Sequence, residues 1–107
     1  MRLSAVELAS GIRERRFSST EVLESVLDRV DALNPTLNAI VSGLSAEQAL
    51  DLARAADASA SKGPLHGLPL GVKDLSNAAG FPTVKGSPLF AKSKPAKRDD
   101  LMVARMR

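Results

Sequence analysis

The sequence contains no cysteine, no tryptophan and no tyrosine, and it has a single histidine, His66. The missing thiols exclude disulfides, thiolate metal sites and a cysteine nucleophile. One imidazole cannot build a zinc site that needs several. Aromatic residues amount to 3 %, all of them phenylalanine, so a core must rest on Leu, Val, Ile and Ala. Such side chains suit close helix–helix and helix–sheet packing better than a β-sandwich. Long apolar runs are also missing. The longest stretch without a charged residue, 32–46, holds Asn, Pro, Ser and Gly, and it is too polar and short for a transmembrane helix. The N-terminus carries Glu7 early and no apolar h-region, so it is not a secretory signal. No Gly-x-Gly-x-x-Gly or Walker-type loop occurs, which leaves a nucleotide cofactor without support. These absences set the expectation of a cytoplasmic protein with no metal, no cofactor and no membrane partner.

What is present suffices for one small domain. The chain has 107 residues, 44 % of them apolar, and a net charge of +3. That charge is too small to imply a nucleic-acid partner. It is uneven, however. Lys92, Lys94, Lys97 and Arg98 fall within seven residues, a run read here as a solvated basic loop.

Three capping boxes punctuate the first half: Ser4-Ala5-Val6-Glu7, Ser18-Ser19-Thr20-Glu21 and Ser45-Ala46-Glu47-Gln48. In each, a hydroxyl can accept from the backbone N–H three residues on, while Glu or Gln reaches back. After the second box, Val22, Leu23, Val26, Leu27, Val30 and Leu33 recur at helical spacing, and Asn34-Pro35 predicts the stop. Residues 37–41 alternate and predict a strand. The third box opens an alanine-rich helix expected over 46–60. From Gly63 to Pro88 glycine and proline dominate, which predicts loops around one strand over 68–75. A last helix is expected after Asp99-Asp100, with Leu101, Val103, Ala104 and Met106 as its apolar positions. Residues 1–61 thus read as a helical segment with one strand, and 62–107 as a loop-rich segment with a second strand and the start of a helix. Two strands make a poor sheet by themselves. The chain reads as an α/β fold that is incomplete.

Lys73 closes the second predicted strand, in His66-Gly-Leu-Pro-Leu-Gly-Val-Lys73-Asp74. Alternation puts Lys73 and Asp74 on opposite faces, so the two should not simply pair. Gly71 leaves space on the lysine's face. One reading is a solvated Lys-Asp at a strand end. The other is a buried lysine, whose pKa burial depresses and which then serves as a general base. The Ser59-x-x-Lys62 pattern matches an arrangement of penicillin-recognising enzymes, but Ser-Asp-Asn and Lys-Thr-Gly companions are absent, so it carries no function. His66 is expected to be hydrogen-bonded within its loop.

The wider segment resembles the N-terminal part of the amidase signature family. The residues that carry this likeness are Gly63-Pro64-Leu65-His66-Gly67-Leu68-Pro69, Lys73-Asp74, Gly80, Thr83 and Gly86-Ser87. Residues 18–41 are similar to the family's opening helix and first strand, and 98–107 to the helix that follows. The resemblance implies helices packed on a mixed sheet, incomplete in this chain. It implies that Lys73 is the catalytic lysine of a Ser–cis-Ser–Lys triad that hydrolyses a small-molecule amide through an acyl-serine. It also implies that an A subunit of a tRNA-dependent amidotransferase is an alternative. The two serines of that triad lie in a Gly-Gly-Ser-Ser-Gly-Gly-type stretch and a later Gly-Gly-Ser segment, and neither stretch occurs here. Ser76, Ser87 and Ser93 lack that glycine-rich context, so no nucleophile is assigned, and the chain alone is expected to be an inactive N-terminal fragment. A non-catalytic module that pairs through strand edges and helix faces, forming a homo-oligomer, is the reading from another class.

Overall fold

The computed structural model describes residues 3–60 and 63–107. It divides into two compact units, residues 1–69 and 70–107. Met1, Arg2, Ser61 and Lys62 lie outside the described residues, and with them part of the N-terminal leader reading and of the Ser59-x-x-Lys62 pattern.

Among its described residues the first unit holds three helices: α1 (Ala5–Arg13), α2 (Ser19–Leu37) and α3 (Ala46–Ala58). All three capping boxes form, on Ser4, Ser18 and Ser45. At the start of α2 every N-terminal donor has a partner. Glu21 N–H donates to Ser18 Oγ at 3.0 Å, and Ser18 N–H donates to Glu21 Oε2 at 2.7 Å. The next two donors, the N–H groups of Ser19 and Thr20, reach the carboxylate of Asp57, at 2.7 and 3.1 Å. Thr20 Oγ1 adds a third bond to it at 2.7 Å. The penultimate residue of α3 therefore caps α2, and the two helices pack against each other. Ile12, Val22 and Ala53 form the buried apolar centre of this unit. Glycine is required at position 11 of α1 because Phe17 lies over it: a Cβ there would overlap the Phe17 ring.

α1 ends in a Schellman arrangement. Arg15 takes the left-handed position at φ 57°. The N–H groups of Arg15 and Arg16 return to the carbonyls of Ile12 and Gly11, at 3.1 and 2.9 Å. α2 does not stop at Asn34-Pro35. It runs to Leu37 and ends on Asn38, left-handed at φ 47°, whose N–H donates to the Asn34 carbonyl at 2.7 Å. One missing N–H near a helix end is tolerated when the following residue can adopt the left-handed cap.

The strand expected over 37–41 does not form. Leu37 belongs to α2, and Ile40 is held by a side chain instead of a neighbouring strand. Asn34 Oδ1 accepts from Ile40 N–H at 2.8 Å, and Asn34 Nδ2 donates to its carbonyl at 2.9 Å. The strand expected over 68–75 does not form either: its backbone has no ladder partner among the described residues, and an extended segment without one is not a strand. The single β pairing among the described residues is a parallel bridge between Ala79 and Ala96. A mixed sheet is thus not formed among the described residues. The reason is the absence of partners, since 71–77 keeps the alternation of exposed and half-buried residues that a strand would have.

The second unit contains a short 3₁₀ turn, Pro88–Phe90, and helix α4 (Leu101–Met106), which begins after Asp99-Asp100 as its apolar spacing predicts. Val103 is its buried residue.

Candidate active site

Within residues 70–107 the chemistry-bearing positions gather around two loops. Lys73 is exposed, and its backbone carbonyl accepts from Leu75 N–H at 2.7 Å and Ser76 N–H at 3.0 Å. That tight turn fixes the main chain just where the lysine side chain leaves it. Lys73 and Asp74 form no ion pair, as their opposite faces predict. Asp74 turns instead to the Val84–Gly86 loop. Its Oδ1 accepts from Val84 N–H at 2.7 Å and its Oδ2 from Gly86 N–H at 3.3 Å. Lys85 and Gly86 are both left-handed, with φ of 56° and 62°, which turns successive N–H groups inward toward the carboxylate. The Val84 N–H, first among several causes, holds the Asp74 carboxyl below the ordinary carboxylate range; burial opposes this, and the Lys85 and Gly86 N–H groups and the Lys73 charge assist.

The second loop is latched by the two aspartates before α4. Asn77 and Asp100 exchange bonds: Asn77 N–H donates to Asp100 Oδ2 at 2.8 Å, and Asp100 N–H to the Asn77 carbonyl at 2.9 Å. Asp99 Oδ1 accepts from Ala79 N–H at 2.6 Å, and its other oxygen faces Arg107 Nε at 3.4 Å. Thr83 Oγ1 donates to Asn77 Oδ1 at 2.8 Å. Asp100 makes no side-chain cap to α4, because its carboxylate is already engaged with Asn77. Ser87 Oγ accepts from Leu89 N–H at 3.3 Å and so shapes the 3₁₀ turn. Ser76 and Ser93 are half-buried.

The glycine-rich lead-in lies in the first unit. His66 N–H donates to the Gly63 carbonyl at 3.1 Å, and His66 Nε2 lies 2.9 Å from the Ala56 carbonyl at the end of α3. The backbone of His66 is bonded within its loop, but the imidazole is not: its partner is a carbonyl in the last turn of α3, ten residues back. Gly67 needs its freedom: it is left-handed at φ 76°, and a Cβ would overlap Ser19 Oγ, a fully buried residue at the start of α2.

Sequence reasoning identified Lys73, Thr83, Gly86 and Ser87 as neighbours in a motif. It missed the acceptor roles of Asp74, Asp99 and Asp100. A signal for the first was available, since Val-Lys-Gly-Ser ten residues after an aspartate offers a glycine turn whose N–H groups need an anion.

Comparison with known proteins bears on this arrangement. The amidase family profile matches residues 21–107. AmiD of Mycobacterium tuberculosis, named as an amidase, is 42 % identical over 110 residues, covering 99 % of this chain and 23 % of that protein. An acylamidase of Rhodococcus erythropolis is 42 % identical over 88 residues, covering 78 % of this chain and 18 % of that protein. The A subunit of a glutamyl-tRNA(Gln) amidotransferase from Salinispora arenicola is 38 % identical over 109 residues, covering 98 % of this chain and 22 % of that protein. The chain therefore spans less than a quarter of the length of these relatives. With the profile reaching from α2 to the last residue, on a stretch that includes Lys73-Asp74 and the loop it holds, the chain belongs to the amidase family.

Proposed function

We propose that the chain is the N-terminal part of an amidase that hydrolyses a carboxylic amide to an acid and ammonia or an amine, with Lys73 as the general base. The observation that carries this reading is the division of labour between Lys73 and Asp74. Asp74 is bound to the Val84 and Gly86 N–H groups, so the ammonium beside it stays exposed and without an ion-pair partner. In the complete domain, apolar segments covering this face would take Lys73 out of water, which disfavours the ammonium relative to the neutral amine. The neutral amine accepts a proton from a bridging serine. That serine takes the proton of a second serine, whose oxygen attacks the amide carbonyl. Collapse of the tetrahedral adduct expels the amine, which leaves with a proton, and water then releases the acid and restores the serine. Neither serine is supplied by residues 1–107, so this chain alone is expected to be inactive.

The same reading places segment 68–75 in a mixed sheet packed by helices in the complete domain. It takes a small-molecule amide as substrate, no cofactor, a cytoplasmic location and a homo-oligomeric assembly. A second reading is an A subunit of a tRNA-dependent amidotransferase. It is favoured by the Salinispora relative, which is similar over nearly the whole chain.

The test is Lys73→Ala in a polypeptide spanning the full length of the relatives. General-base removal lowers turnover by about 10²–10⁴-fold, with the far-ultraviolet dichroism unchanged. Retained turnover removes Lys73 from the mechanism. Hydrolysis of simple amides without partner subunits or RNA supports the amidase, and a requirement for both supports the amidotransferase subunit.

A further inference from the structure

The net charge of +3 hides a strong partition. Residues 1–69 hold seven Lys and Arg against nine Asp and Glu, a balance of −2. Residues 70–107 hold eight against three, a balance of +5. All three carboxylates of the second unit are engaged locally: Asp74 with the Val84–Gly86 loop, Asp99 with Ala79 and Arg107, and Asp100 with Asn77. None of them neutralises the cluster over 92–98.

That cluster is also ordered by its own backbone. Ser93, Ala96 and Asp99 are half-buried, whereas Lys92, Lys94, Lys97 and Arg98 are exposed and have no ion pair among the described residues. Ser93 N–H donates to the Phe90 carbonyl at 2.9 Å, and Ala96 N–H to the Phe81 carbonyl at 2.9 Å. The Ala96 carbonyl accepts from Gly80 N–H at 2.9 Å. Ser93, Ala96 and Asp99 are thus turned in, and the cations between them are exposed along a stretch of chain at most about 21 Å long. At the head of this line Lys85 Nζ sits 5.2 Å from the centre of the Phe90 ring, which itself stays partly exposed.

From this we infer that residues 85–98 form a docking track for the phosphodiester backbone of a single-stranded nucleic acid. A run of exposed cations without ion pairs, carried on a hydrogen-bonded backbone, suits a run of phosphates, and a partly exposed aromatic at its head offers a stacking face for a base. A lipid headgroup surface is two-dimensional and asks for an apolar wedge as well; Leu89, 89 % exposed, is the one side chain of the 3₁₀ turn placed to act as such. The inference does not depend on the amidase reading.

The experiment measures binding of the 107-residue chain to a fluorescein-labelled oligouridylate of about twelve nucleotides, within the usual single-strand site sizes, across a salt series. Four phosphate contacts give a slope of log K against log salt of about −2.8, so affinity falls about 50-fold between roughly 50 and 200 mM KCl. The triple variant Lys92→Gln, Lys94→Gln, Lys97→Gln reduces the slope to about −0.7. A control that removes as many cations from the first unit, Arg13→Gln, Arg29→Gln, Arg54→Gln, leaves the parent slope unchanged. A flat salt response of the parent chain overturns the inference without recourse to any variant. So do equal losses in both triple variants, or binding to phosphatidylserine vesicles in place of the oligouridylate.

Discussion

Arg15 shows at the residue scale how a local rule is broken and what that implies. It occupies the left-handed position that closes α1, where glycine is the usual choice, and both Schellman hydrogen bonds form regardless. A left-handed residue with a Cβ costs about 1–2 kcal/mol, and glycine loses about 0.5–1 kcal/mol in chain entropy on folding. Arg15→Gly should therefore raise stability by roughly 0.5–1 kcal/mol. Arg15→Ala, which keeps the Cβ, should bring no such gain. Urea midpoints of the two variants check this; equal midpoints would mean that the position is unstrained. Lys73 and Asp74 teach a related lesson about legibility. Their opposite faces followed from strand alternation alone, and the structure keeps that alternation although no ladder forms. What Asp74 holds could not be read from its own neighbourhood, because its partners lie ten and twelve residues away and depend on the backbone twist at Lys85 and Gly86.

Helix starts were the most legible elements, because a capping box is written within four residues and needs nothing beyond them. The end of α2 was not, because it depends on whether Asn38 can take a left-handed turn and whether Asn34 can hold Ile40. The strongest coupling between elements, Asp57 on the α2 N-terminus, was equally hidden, since it spans 37 and 38 residues. Asp57→Ala leaves two N–H groups of α2 without acceptors and should destabilise the helical unit by about 1–2 kcal/mol. Burial opposes ionisation of Asp57, but bonds from the Thr20 hydroxyl and from the Ser19 and Thr20 N–H groups outweigh it and lower its pKa. A lowered folded-state pKa means that this contribution is fully present above the unfolded value, about 3.9 for aspartate, and is lost as pH falls through the folded one. The difference between parent and Asp57→Ala should accordingly be constant near neutrality and shrink below about pH 4. Thermal melts followed at 222 nm across pH decide it, and a difference that persists undiminished at the acid end would remove the carboxylate from the cap.

The two predicted strands concern the whole molecule, because a strand is a property of the sheet that receives it. Residues 70–74 have the alternation of a strand, yet none of their N–H groups has a partner among the described residues. The same holds for the N–H groups of 41–44. In the first unit the apolar surface is unfinished: Leu33, Leu37, Ala39 and Ile40 line an open groove of about 520 Å³, together with Leu3, Leu8, Val22, Val26 and Val30. Only Ile12, Val22, Ala53 and Val103 are buried apolar side chains among the described residues. Unpaired backbone and open apolar surface are what a sheet and its covering layer would complete. Hydrogen exchange can weigh this directly. In the 107-residue chain the amides of Gly71, Val72, Lys73 and Asp74 should exchange at nearly the rate of an unstructured peptide, whereas Val26 and Leu27 inside α2 are protected. In a polypeptide spanning the relatives' full length, the amides of 71–74 should slow by at least about a thousandfold, as ladder bonds opened only by global unfolding would require. Unchanged exchange there would mean that the Lys73 segment remains outside the sheet. Protection already present in the short chain, and rising with its concentration, would mean that a second copy supplies the ladder.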